Sequence, residues 1–266
     1  MPFRKKIASE YGGVPVAPLQ AECMKGATKM RYILGYITAL CLLVLIVCQS
    51  IIFPTFFMPF FRQQYARVHP SQGVTVAEYI DMSDDDLMYV TVELLNYMRA
   101  RRDSLDGIRA TVGGIEQEFF SDRDKIHMVD VRVLYDRLFV VRNVAFWSLL
   151  AMIGLMAITK SPVRHLLARC SREVMAGFLL VSAVTAGAIA LDFDRAFEIF
   201  HLILFDNDYW ILFPPHDRLV MMVPIEFFIN ISIFIGALMG LVPVAIIIGA
   251  TVYLRHEANR PGFGGF

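Results

Sequence analysis

The sequence predicts an all-α membrane protein: four transmembrane helices carrying a mainly helical extracytoplasmic cap. Three observations predict it. Of 266 residues, 56% are apolar, with 21 Phe and 14 Met. The apolar residues are concentrated in four stretches near the ~20 residues that a helix needs to cross a bilayer. Outside those stretches, alternation of apolar and polar residues is scarce, whereas helix-start signals recur.

The elements follow in order. Residues 1–31 read as a cytoplasmic tail carrying Arg4, Lys5, Lys6, Lys25, Lys29 and Arg31, with loop composition in "YGGVPVAP". The first span is placed at 32–53. Its late start, long apolar run and lack of a small-x-small site argue against a cleaved signal peptide. Residues 54–142 form the cap. It opens on "FPTFFMPFF", which suits an interfacial aromatic belt or an acyl-chain entrance. "SDDD" then announces a helix with Ser83 as cap and Asp86 as its box partner. That helix should run to about Arg102, with Leu87, Val90, Leu94 and Met98 on one face. "VGGIE" marks a turn, and "VTV" and "RATV" are the only hints of strand. "SDRD" repeats the capping pattern, so a second helix should start there and run into the next span.

The second span is placed at 143–159, a cytoplasmic loop at 160–173 and the third span at 174–191. An extracytoplasmic loop at 192–226 extends the third helix and then turns proline-rich. The fourth span, 227–254, carries Pro243 and should tilt or kink there. Residues 255–266 form a second cytoplasmic tail. Orientation rests on basic residues in short loops. Lys160, Arg164, Arg169 and Arg172 crowd the middle loop, while 192–226 holds only Arg195 and Arg218. Both termini are therefore placed in the cytoplasm.

Composition also limits function. Formal net charge is zero, which implies no nucleic-acid partner. Cys23, Cys41, Cys48 and Cys170 all fall in cytoplasmic or membrane segments, so no disulfide framework is expected.

Candidate chemistry gathers at two histidines. "KIHMVDVRVLY" puts His127 and Asp130 on one helical face, and Glu198 stands three residues before His201. A carboxylate one turn away can fix an imidazole's tautomer and raise its basicity. At ~1.5 Å per residue, His127 lies roughly 16 Å above Leu138 and His201 about 15 Å beyond Leu191. The two could therefore meet just above the hydrocarbon edge. His69, before Pro70, reads as a solvated loop residue, and His165 and His256 as membrane-flanking polar residues. Asn207 and Asp208 suit a turn, or donors and acceptors around a reacting carbonyl. Trp210 suits an interfacial anchor. No G-x-S-x-G or H-E-x-x-H is present. Acid–base chemistry by the two histidines, with no metal and no cofactor, is the economical reading. A membrane lipid hydrolase, with or without a metal on His127, Asp130 and His201, and a non-catalytic four-span sensor or accessory protein stay open.

Two blocks carry a resemblance. "FHLILFDNDYWILFPPHDRLVMMVPIEFF" resembles the FHxxFFxNDxWxL-P block of the lipoprotein intramolecular transacylase family, and "FFSDRDKIHMVDVRVLY" is similar to its HM-x-DVK block. With "LLNYMRARRDSL" and four spans, the resemblance reaches from about Tyr32 to Tyr253. It implies transfer of an acyl chain from the sn-2 ester of a lipoprotein's diacylglyceryl group to the α-amine of its N-terminal cysteine. The family's two essential histidines fall on His127 and His201. Asp124 stands where the family has Glu, Arg132 where it has Lys, Phe213 where it has an acid, and Glu226 is shifted by one. The implied partners are diacylated lipoproteins and membrane lipids. In the mechanism this suggests, His127 with Asp130 takes the amine's proton. His201 polarises the carbonyl or protonates the glycerol oxygen. Glu198, Asn207, Asp208, Tyr209, Trp210 and Arg132 support the site or bind substrate, and Phe57, Phe60 and Phe61 help to shape it.

Overall fold

The computed structural model describes residues 16–69 and 72–260. Residues 1–15 of the expected N-terminal tail and 261–266 of the C-terminal one lie outside the described residues. Among the described residues, four helices are long and apolar enough to cross a membrane: α1 (Val16–Thr55), α5 (Asp122–Ile158), α6 (Val163–Leu191) and α9 (Ile225–Ala258). Their outward faces meet no protein. Trp147 is 67% exposed, Leu180 70% and Leu241 68%. Side chains of this kind stay outside a folded interior only where lipid replaces water. The chain is a multi-pass membrane protein. α9 continues through Pro243.

The cap is built from α2 (Met58–Tyr65), α3 (Val76–Ile80), α4 (Asp84–Met98), strands β1 (Arg109–Val112) and β2 (Ile115–Glu118), and the first turns of α5. Its core joins Leu87, Val90, Leu94 and Met98 of α4 to Phe61, Phe119, Met222 and Phe227. Sequence chemistry sets each start. Ser83 accepts from the Asp86 N–H, and Ser121 and Asp124 form a reciprocal capping box. α4 ends earlier than expected, at Met98, because Ala100 takes a left-handed φ of 55°. "VTV" is helical, whereas "RATV" is the first strand of an antiparallel hairpin. Its turn, Gly113–Gly114, has positive φ at both residues, the geometry that a two-residue hairpin turn requires and glycine supplies. The cap is therefore mainly helical with one small hairpin.

The third long helix does not extend straight outward. Asp192, extended at φ −154°, ends α6 and caps α7 (Phe193–Leu204) by accepting from the Arg195 N–H. A loop follows, then the short α8 (Arg218–Met222), then α9. His69 corrects its expectation too: it is 2% exposed, and its Nε2 donates to the Gln64 carbonyl at 3.2 Å. His165 pairs with Glu257.

Candidate active site

His127 sits in the second turn of α5, whose start the Ser121–Asp124 box fixes. His201 lies near the end of α7. Two separate helices thus bring the rings together, with centroids 6.2 Å apart and planes at 36°. Both residues are buried, 8% and 7% exposed. Aromatic rings enclose them. Phe205 lies 5.2 Å from His127 and 5.7 Å from His201. Trp210 stacks on His201 at 4.8 Å, and Phe197 approaches it to 4.2 Å.

The tautomer of His201 follows from its partner. Its Nδ1 lies 2.8 Å from the Phe197 carbonyl, and a carbonyl only accepts, so Nδ1 carries the proton and Nε2 keeps a lone pair. Burial pushes the pKa of His201 below the usual histidine value; the bond to Phe197 opposes the shift without cancelling it. The imidazole is therefore neutral at pH 7. His127 Nδ1 and Trp210 Nε1 are buried and make no hydrogen bond within the described residues.

Burial and then the neighbouring His201 lower the pKa of His127 to about 4, and the Asp130 charge opposes that shift, but the hydrogen bonds of both expected acids go elsewhere. Asp130 accepts from Asn207 Nδ2 at 2.8 Å. Asn207 in turn accepts from the Tyr209 N–H, so this pair ties the loop after α7 to α5. Glu198 is taken by Arg195 at 2.5 Å. Arg132 turns away, donating to the carbonyls of Arg102 and Asp103 and covering the Tyr97 ring. The Asp208 side chain is exposed, as is Tyr209. Arg123 escaped notice in the sequence. It donates to the carbonyls of Ile211 and Asp208 and lies over Tyr209 and Phe213. Its position four residues before His127 was the available signal, since i and i+4 share a helical face. Phe197, one turn before His201, was equally legible.

Below the rings lies an apolar cleft of about 500 Å³. It runs from Phe61, Leu94 and Met98 in the cap to Ile51, Ile189, Ile235 and Met239 on the membrane-crossing helices. Thr55 and Tyr135, also on its wall, are hydrogen-bonded to each other at 2.7 Å. Apart from Ser232, the two histidines are left as the polar groups facing the cleft. Of the "FPTFFMPFF" run, Phe61 reaches the cleft, while Phe60 packs in the cap core. Among the described residues no three His, Cys, Asp or Glu side chains are arranged to hold a metal ion.

Fold and site together define a membrane-integral protein with an apolar cleft opening on a pair of imidazoles. Comparison with known proteins sharpens that class. The family model for the lipoprotein intramolecular transacylase Lit matches residues 36–228, and the chain belongs to this family. It is an acyltransferase that moves an acyl group within a lipoprotein, which sets aside the hydrolase and sensor readings. A search of curated proteins found no match. The chain is similar to the in meso structure of the membrane-integral transacylase Lit from Bacillus cereus, at 16% identity and a TM-score of 0.71, covering 88% of this chain and all of that one. It is also similar to a variant of that protein with one histidine replaced by arginine, at 15% identity and a TM-score of 0.66, covering 90% and 98% of the two chains. At these identities the likeness is one of fold.

Proposed function

We propose that His127 and His201 carry the acyl transfer, moving the chain from the sn-2 ester of the diacylglyceryl group to the α-amine of the same N-terminal cysteine. The observation behind this reading is the meeting of two buried imidazoles, 6.2 Å apart, at the polar end of an apolar cleft. The tautomer of His201 favours the reverse of the roles suggested by the sequence. Its free Nε2 takes a proton from the attacking amine nitrogen. The C–N bond forms at the sn-2 carbonyl, and the tetrahedral intermediate collapses with loss of the glycerol oxygen. The His201 imidazolium passes its proton to His127, which delivers it to that oxygen as the C–O bond breaks, leaving both rings neutral. The amine's proton thus ends on the glycerol hydroxyl, and no water is consumed.

Nucleophile and electrophile belong to one molecule, so the site's main task is to hold them together. Well-oriented intramolecular reactions gain up to ~7–11 kcal/mol on this account. The buried His127 Nδ1 is suited to meet the ester oxygens, and Trp210 holds the His201 ring by stacking on it. Asp130 and Asn207 act as positioning residues. The cap faces the extracytoplasmic side, supported by the basic loop from Lys160 to Arg172 at the far end of α5 and α6, and membrane lipids surround the lipoprotein substrate there. Mass spectrometry of a diacylated lipopeptide incubated with His127→Ala or His201→Ala tests the assignment. Normal conversion by either variant refutes the pair.

A further inference from the structure

A second cavity, of about 460 Å³, lies on another side of the α1–α5 pair. Ile51 and Thr55 of α1 and Tyr135 of α5 face the acyl cleft. Phe53 of α1, and Phe139 and Arg142 of α5, face this groove instead, with Phe56 beside them and Arg99 and Arg101 arriving from the end of α4. Its level is set by its walls. Phe53 lies two residues before the end of α1, and Arg142 immediately precedes the apolar run that starts at Asn143. This is the height at which headgroups meet hydrocarbon.

The charges in this groove are unbalanced. Among the described residues, the ion pairs of this protein include none made by Arg99, Arg101 or Arg142. Arg99 lies 4.2 Å over the Phe56 ring and donates to the Phe56 carbonyl at 3.4 Å. Arg142 donates to Asn143 Oδ1 and lies 5.3 Å from the Phe139 ring. Ring faces and neutral oxygens hold these cations, and no carboxylate neutralises them. Burial and then the charge of Arg101 depress the pKa of Arg99, so the cations feel one another. Guanidinium groups converging in this way match a phosphate, which accepts two parallel N–H bonds from each. The rest of the groove selects the kind of phosphate. Phe53 is 48% exposed and Phe57 36%, an aromatic surface at membrane depth that a soluble anion would leave uncovered and an acyl chain would cover.

We propose that this groove binds the phosphate of an anionic phospholipid, with Arg99, Arg101 and Arg142 on the headgroup and an acyl chain lying over Phe53. Such a lipid braces α1 against α5 behind the acyl cleft. The proposal does not depend on the roles of the histidines.

Native mass spectrometry of the full chain in detergent tests it, with dioleoylphosphatidylglycerol, dioleoylglycerol and soluble glycerol phosphate as probes. The wild type should retain the phospholipid about tenfold more tightly than dioleoylglycerol. Glycerol phosphate at millimolar concentration should not displace it. The triple variant Arg99→Gln, Arg101→Gln, Arg142→Gln should bind the two lipids equally. Arg101 is exposed, so Arg101→Gln alone, with an expected loss of about threefold, keeps the test valid if the triple variant does not fold. Equal retention of both lipids by the wild type overturns the proposal, as does unchanged phospholipid binding by folded variants. Displacement by glycerol phosphate, or by a glutamate-rich peptide, also overturns it and reassigns the groove to a soluble anion or a protein segment.

Discussion

At the scale of single residues, the protonation of His201 makes the sharpest prediction. Its pKa lies below the ordinary ~6.5 because its charged form is desolvated. A base of this kind is active above its pKa and lost as pH falls through it. The substrate amine, at ~7.7–8.0, also must be neutral to attack. Log kcat/KM should therefore fall with a slope of one from about pH 7.5 through 6.5 and steepen to two only at lower pH. Steepening at 6.5 would show a solvent-exposed histidine instead. The Asp130–Asn207 bond gives a second prediction. Asp130→Ala and Asn207→Ala should each lower kcat more than they raise KM, and the double variant should cost little beyond either single one. Losses that multiply would mean that the two act apart. The histidines were legible in the sequence, but the reason for choosing them was only half right. A carboxylate one turn away marked each, yet Asp130 reaches across to Asn207 and Glu198 is held by Arg195. Spacing reveals which residues share a face. It does not reveal a competitor arriving from a distant loop.

Among the elements, those with chemical start signals could be read, and those ended or bent by backbone geometry could not. Ser83 and Ser121 announced α4 and α5 through hydroxyls placed to meet the third N–H of a helix. Substituting Ser121 by Ala removes that bond and the one to Asp217. Thermal or denaturant unfolding should record a loss of about 1–2 kcal/mol, and no loss would mean that the cap is held without them. The hairpin was nearly hidden, because the four-residue strands bury only Ala110 deeply and show little alternation; the glycine pair and the faint pattern of "RATV" were its signals. Asp192 was missed for a different reason. An acid between apolar runs reads as a loop residue, whereas here it ends one helix and caps the next. That break re-aims α7 so that His201 faces His127. Asp192→Ala should therefore lower turnover, with Asp192→Ser, which can still cap, restoring it. Equal activity of both variants with the wild type would show that the cap does not set the aim of α7.

For the whole molecule, the account is of a lipid-immersed frame that supplies a cleft and a cap that closes its polar end. The cleft is apolar along its length down to Met239, fourteen residues into α9, or about 21 Å along the helix. Filling its far end with Met239→Trp should slow transfer of long acyl chains while sparing short ones. An equal effect on both would mean that the chain lies elsewhere. Four spans were legible because lipid demands long unbroken apolar runs; the cleft between them was not, since it depends on how the helices pack. The central claim is that the two imidazoles act as one catalytic unit. It is tested most directly by single-turnover rates of lipopeptide conversion for His127→Ala, His201→Ala and the double variant, each shown to fold. The account predicts a loss of about 10²–10⁴ for each single variant and little further loss on combining them, as for groups that share one reaction path. A wild-type rate in either single variant, or two losses that simply multiply, would contradict it.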